Sequence, residues 1–195
     1  MSKNTLIFLM DIDGHAALAD DFAIKYRTYA LQDILNDNFL DRDKNVIVST
    51  PFYSERSKEL HHQGTYDRGW KWFECEKSEE YRYLEWMLKK QNFILSPEHT
   101  TIIFGGTNTS GCVLHSSNLS LTKFAERNFY CQLYLPLCDD VHMPGVCSHD
   151  RSQKAFAETY ETIKRLNLFH RVDILTRFGD LDLVRSKKRF EYKST

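Results

Sequence analysis

The run Phe104-Gly105-Gly106-Thr107-Asn108-Thr109-Ser110-Gly111-Cys112-Val113 leads from an apolar, strand-like stretch through a turn of small residues to a cysteine that opens a helical pattern. A helix N-terminus presents free N–H groups and the positive end of its dipole. Both stabilise an anionic sulfur, so a cysteine placed there is suited to act as a nucleophile. The same N–H groups can hold a developing oxyanion. An arbitrary cysteine is more simply read as a small buried residue; the position after this turn is what favours chemistry at Cys112. Gly105-Gly106 does not make a nucleotide loop, because neither G-x-G-x-x-G nor G-x-x-x-x-G-K-[ST] is present.

A nucleophile needs elements to position it. Thr5 to Met10 is a continuous apolar run ending in Asp11, as expected of a strand buried on both faces, and Ala19 to Phe39 has helix-compatible spacing. Val46-Ile47-Val48 is a second short strand stopped by Pro51, and the polar segment from Phe52 to Gly69 reads as a long loop. Gly69 to Cys75 is a third strand. Ser78, followed by Glu79 and Glu80, reads as the N-cap of a helix reaching about Gln91. Strands follow at Thr100 to Phe104, Phe129 to Leu137 and Val172 to Thr176, with helices from Gly111 to about Arg127 and from Arg151 to Leu166.

Regular alternation of this kind predicts an α/β fold: three layers, α/β/α, around a mostly parallel sheet of about six strands, because parallel strands need crossover connections. The whole chain, 1–195, reads as one domain. Open sheets bind ligands beyond the carboxyl ends of their strands. Asp11, the segment after Val48, Lys71 and the turn before Cys112 all fall at predicted strand ends, so they are expected to converge. Asp13 is an alternative to Asp11, which directly ends its strand.

Composition narrows the partners. With 26 Lys and Arg against 27 Asp and Glu the net charge is -1, which supplies no field for nucleic acid or an anionic membrane. The apolar stretch Leu6 to Met10 meets Asp11 well before a secretory or membrane segment could form, and five scattered cysteines without a CxxC pair fit reduced thiols. A cytoplasmic protein is expected.

The motifs resemble those of the isochorismatase-like cysteine hydrolases, the superfamily of nicotinamidases, carbamoylsarcosine amidase and ureidoacrylate amidase. Leu6-Ile7-Phe8-Leu9-Met10-Asp11 is similar to the first strand and its acid, and Gly106 to Val113 to the nucleophile turn. Leu135-Pro136-Leu137-Cys138-Asp139-Asp140 resembles a strand end that commonly carries Asp-Ala, with His149-Asp150 opening the next helix. The resemblance implies a Rossmann-like fold, Cys112 as nucleophile, Asp11 as the base that takes its proton, and a lysine that stabilises both anions. Lys71, inside the third strand, is favoured for that role; Lys77, beside the helix cap, is the alternative. The resemblance also implies a cis Thr107-Asn108 peptide and an oxyanion hole made by the N–H groups of Asn108 and Cys112.

Departures from the family pattern limit the substrate. Where metal-binding nicotinamidases carry Asp-x-His and a further His, this chain has Thr50-Pro51-Phe52-Tyr53, and His61-His62 lacks a matching acid, so no metal or cofactor is expected. A thiol nucleophile argues against vinyl-ether hydrolysis of isochorismate. A small amide-type substrate remains. Phe52, Tyr53, Trp70, Trp72 and Phe73 would stack on a planar substrate or pack against another subunit of a dimer or tetramer. The competing reading is a catalytically silent relative that binds or assembles.

Overall fold

The computed structural model describes residues 4–11, 31, 34, 45–51, 55, 58–59, 71–107, 109–139 and 148–176. Six strands form one all-parallel sheet: β1 (Asn4–Met10), β2 (Asn45–Ser49), β3 (Lys71–Glu74), β4 (Thr100–Thr107), β5 (Tyr130–Asp139) and β6 (Val172–Leu175), in the spatial order β3-β2-β1-β4-β5-β6. Helical elements among the described residues include α1 (Tyr81–Lys90), a π-helical segment (Thr109–Ser116), α2 (Leu121–Glu126) and α3 (Ser148–Arg165). The chain is an α/β protein, as its alternating pattern predicts.

Period-two alternation in the strands divides the core between the two faces of the sheet. Leu6, Phe8, Met10, Val46, Val48, Ile102 and Phe104 pack on one face with Leu84 and Leu88 of α1, Val113, and Phe124 of α2. Ile7, Leu9, Ile47, Ile103 and Tyr134 face the other way, against Leu31 and Ile34, which are helical. Phe8, Phe104 and Phe124 form a triangle with ring centroids 5.8 to 6.3 Å apart, seating α2 over β1 and β4. Aromatic packing at these separations adds about 1 kcal/mol per pair to the burial itself.

Register slips sharply at one place. Phe104 pairs with Leu133 but Gly106 pairs with Cys138, so Tyr134-Leu135-Pro136-Leu137 stands opposite Gly105 alone. Pro136 has no N–H to give a ladder, and the irregularity accommodates it. The excess chain pushes Leu137 into the space above Gly105, where a Cβ would lie 2.5 Å from Leu137 Cδ2.

Three local readings are corrected. The span Gly111 to Arg127 is not one helix: the π-helical segment ends at Ser116 and α2 begins at Leu121. Ser117 bends the chain by bonding its hydroxyl to the Cys112 carbonyl at 3.2 Å, a local side-chain bond that competes with helix continuation. Ser78 is not a cap, because α1 starts at Tyr81 after Glu80 and has no acid in its first turn. Within the segment read as a loop, Glu55, Lys58 and Glu59 are helical, and Lys58 reaches Glu74 at 2.5 Å. Among the described residues no helix is long and apolar enough to cross a membrane.

Candidate active site

The sheet order reverses direction between β1 and β4, neighbours in space with β2 and β3 on one side and β5 and β6 on the other. A crevice opens at such a switch point, beyond the carboxyl ends of the strands. Asp11 directly follows β1 and the Cys112 segment follows β4, so these two residues flank it.

Asp11 is buried, and the strand ends on either side fix it. Its N–H donates to Thr50 Oγ1 at 2.7 Å, and the Thr50 hydroxyl in turn donates to Asp11 Oδ1 at 3.3 Å. From the other flank the Thr107 hydroxyl donates to the Asp11 carbonyl. The backbone of Asp11 is left-handed, with φ 44°, which aspartate tolerates better than most residues because its short side chain can bond locally. Gly106 allows this close approach: its φ is +132°, and a Cβ there would come within 1.8 Å of the Met10 carbonyl oxygen. Thr50 and Thr107 were not singled out from the sequence as partners of Asp11; their placement immediately at the ends of the strands flanking β1 was the available signal.

Lys77 completes the group. Its ammonium lies 2.5 Å from Asp11 Oδ2 and 3.7 Å from Cys112 Sγ, so carboxylate oxygen and sulfur are at most about 6.2 Å apart, the sum of those two contacts. The turn that carries Lys77 is held at both ends. Cys75 N–H extends the ladder to the Ser49 carbonyl at 2.8 Å, and Asn118 Nδ2 donates to the Ser78 carbonyl at 2.8 Å. The Lys77 side chain is about a third exposed and that of Asp11 12% exposed, so this ion pair is only partly screened by water.

Lys71, the favoured lysine, is placed elsewhere. It is the first residue of β3, paired with Val46, and exposed. In a parallel strand this is the edge opposite the site, three residues or roughly 10 Å short of the carboxyl end at Glu74. The chain must pass that end and turn before it supplies a lysine, and Lys77 is the one it supplies.

Cys112 stands fourth in the π-helical segment, within the first turn, where N–H groups have no preceding helical carbonyl to bond. Val113 and Leu114 are buried behind it, anchoring the segment to the sheet, while Cys112 itself is half-buried. Two of the other thiols, Cys75 and Cys131, are buried. Burial, with the charges of Glu79 and Glu76 adding to it, pushes the Cys75 thiol up to about 12, and burial pushes Cys131 further in the same direction. Both stay protonated near neutrality.

Compared with protein-family models, curated proteins and solved structures, the chain matches none. Several residues singled out from the sequence, namely Asp13, Phe52, Tyr53, His61, His62, Trp70 and Asn108, lie outside the described residues, as do the side chains of Asp139 and His149. Trp72 and Phe73 are described, and both pack against the core, one on each face of the sheet; Trp72 also donates from Nε1 to Ser49 Oγ at 2.8 Å. Among the described residues no three His, Cys, Asp or Glu side chains gather as a metal-holding group.

Proposed function

We propose that this chain is a cysteine-dependent hydrolase of small amide-type C–N bonds, related to the isochorismatase-like cysteine hydrolases. The observation that supports it most is the single ammonium of Lys77, in contact with both the Asp11 carboxylate and the Cys112 sulfur at the switch point of the sheet. A carboxylate near a thiol accepts its proton, and an ammonium between them keeps the two anions from repelling each other.

The reaction then runs in two halves. Asp11 takes the thiol proton and Cys112 Sγ adds to the carbonyl carbon; the N–H of Cys112, with that of Asn108 as the family resemblance implies, receives the oxyanion. As the C–N bond breaks, Asp11 returns the proton to the leaving amine, and a thioester remains on Cys112. Water, deprotonated by Asp11, releases the acid and restores the thiol. No step calls for a metal or cofactor. The proposal includes a cytoplasmic setting and a dimer or tetramer, with no nucleic-acid partner.

A second reading has an observation of its own. Both Asp11 oxygens already accept hydrogen bonds, from Lys77 and Thr50, and the same contacts serve a structural ion pair tying β1 to the turn after β3 in a catalytically silent relative. Mass spectrometry after incubation with a panel of small carboxamides and ureido compounds separates the two. A transient acyl adduct on Cys112, absent in Cys112→Ala, supports the hydrolase; no adduct and no amine release across the panel supports the silent relative.

A further inference from the structure

A second cleft, of about 460 Å³, lies between the start of α1 and α2 and is lined by Glu80, Tyr81, Arg82, Asn118, Lys123 and Arg127. Its charge is uneven: three cations line it against the single carboxylate of Glu80. Lys123 and Arg127 are four apart along α2 and its C-cap, a spacing at which like charges destabilise a helix. Lys123 is offset by Glu126 at 3.2 Å, but that pair is nearly half exposed and so contributes little. Neither guanidinium has a carboxylate partner among the described residues. Arg82 is exposed on the first turn of α1, and Arg127 is held in place by donating to the Lys123 carbonyl at 2.8 Å and by stacking over Tyr81 at 5.2 Å.

Two guanidiniums and an ammonium brought by separate helices to one concave surface leave it net positive beside Glu80 and favour an anion there. We propose that this cleft binds the oxyanion group, phosphate or carboxylate, of a small molecule, with Arg82, Arg127 and Lys123 as its ligands. The planar fork of arginine suits two-point contact with either group, and the volume is that of a small-molecule site. Asn118 lines the cleft while its amide holds the Ser78 carbonyl, next to Lys77, so the site adjoins the turn that carries the lysine. The binding itself does not depend on the hydrolase reading.

Calorimetric titration of the full chain at low ionic strength, with inorganic phosphate and with acetate in parallel, tests this and shows which group is preferred. Saturable binding of at least one is expected. It should weaken about tenfold or more in Arg82→Gln, remain unchanged in Lys90→Gln on the far turn of α1, and tighten in Glu80→Gln, which removes the opposing carboxylate. Arg82 is exposed and outside the core, so its variant carries the test even where Arg127→Gln disturbs the stack on Tyr81. Unsaturable heats with both anions, or binding by Arg82→Gln within twofold of the unsubstituted protein, would overturn the proposal.

Discussion

Lys77 and Asp11 are 66 residues apart in the chain, yet Nζ lies 2.5 Å from Oδ2. The contact links the end of the central strand β1 to the turn beyond the edge strand β3, and it reaches over β2 to do so. The same Nζ lies 3.7 Å from Cys112 Sγ, so any chemistry at the sulfur is electrostatically tied to the fold of a distant turn.

Lys77, and not Lys71, stands beside the sulfur. Removing Lys77 takes away the positive charge beside the sulfur, so Lys77→Ala should slow iodoacetamide alkylation of Cys112 near neutral pH by about tenfold. Lys71→Ala, altering an exposed residue at the other edge of the sheet, should leave the rate unchanged. Equal rates in the two variants would remove Lys77 from the thiol's chemistry.

Asp11→Asn keeps the shape of the side chain and most of its bonding to Thr50 but can neither take nor return a proton. Turnover of any amide hydrolysed by the parent should fall by about 10²- to 10⁴-fold, the usual contribution of a general acid–base group. Retained turnover would transfer the proton work to another residue.

The buried thiols make a pH-dependent prediction. Cys75 is shifted from 9.0 to about 12, chiefly by burial. The folded protein therefore keeps this proton to higher pH than the unfolded chain does. Between those values the unfolded state binds fewer protons, and stability falls as pH rises, having been fully present below about pH 9. Urea midpoints should drop from about pH 8 to about pH 10.5, with a shallower drop in Cys75→Ala. At neutral pH, alkylation should spare Cys75 and Cys131 until the protein is unfolded.

Gly106 and Gly105 should respond unequally to alanine. At Gly106 the new Cβ meets the Met10 backbone and the φ of +132° is itself unfavourable, so Gly106→Ala should cost about 3 kcal/mol or more, or prevent folding. At Gly105 the obstacle is the side chain of Leu137, which can turn aside, and a loss of about 1 to 3 kcal/mol is expected. Urea unfolding of both variants provides the comparison.

Much of this architecture is legible in the sequence because it is local. Strands buried on both faces appear as short apolar runs, and a cysteine after a small-residue turn at a strand end marks the start of a helical segment wherever the rest of the chain goes. Asp11 and Cys112 stand out on those grounds, since Asp11 directly follows one apolar run and Cys112 follows the small-residue turn after another. The lysine could not. Lys71 and Lys77 are six residues apart, both beside the same strand, and which one reaches the site depends on where β3 begins and how the chain turns after it. Register decides that: Lys71 pairs with Val46 at the amino edge of the sheet, while the turn pinned by Ser49 and Asn118 brings Lys77 back over the carboxyl edge. The break after Ser116 has a local part, the Ser117 hydroxyl bonding to the Cys112 carbonyl, and a tertiary part that the local pattern does not encode, the same hydroxyl lying 3.5 Å from the Met10 sulfur. Hydrophobic period and turn chemistry specify the elements, and long-range pairing selects which polar side chains meet at their ends.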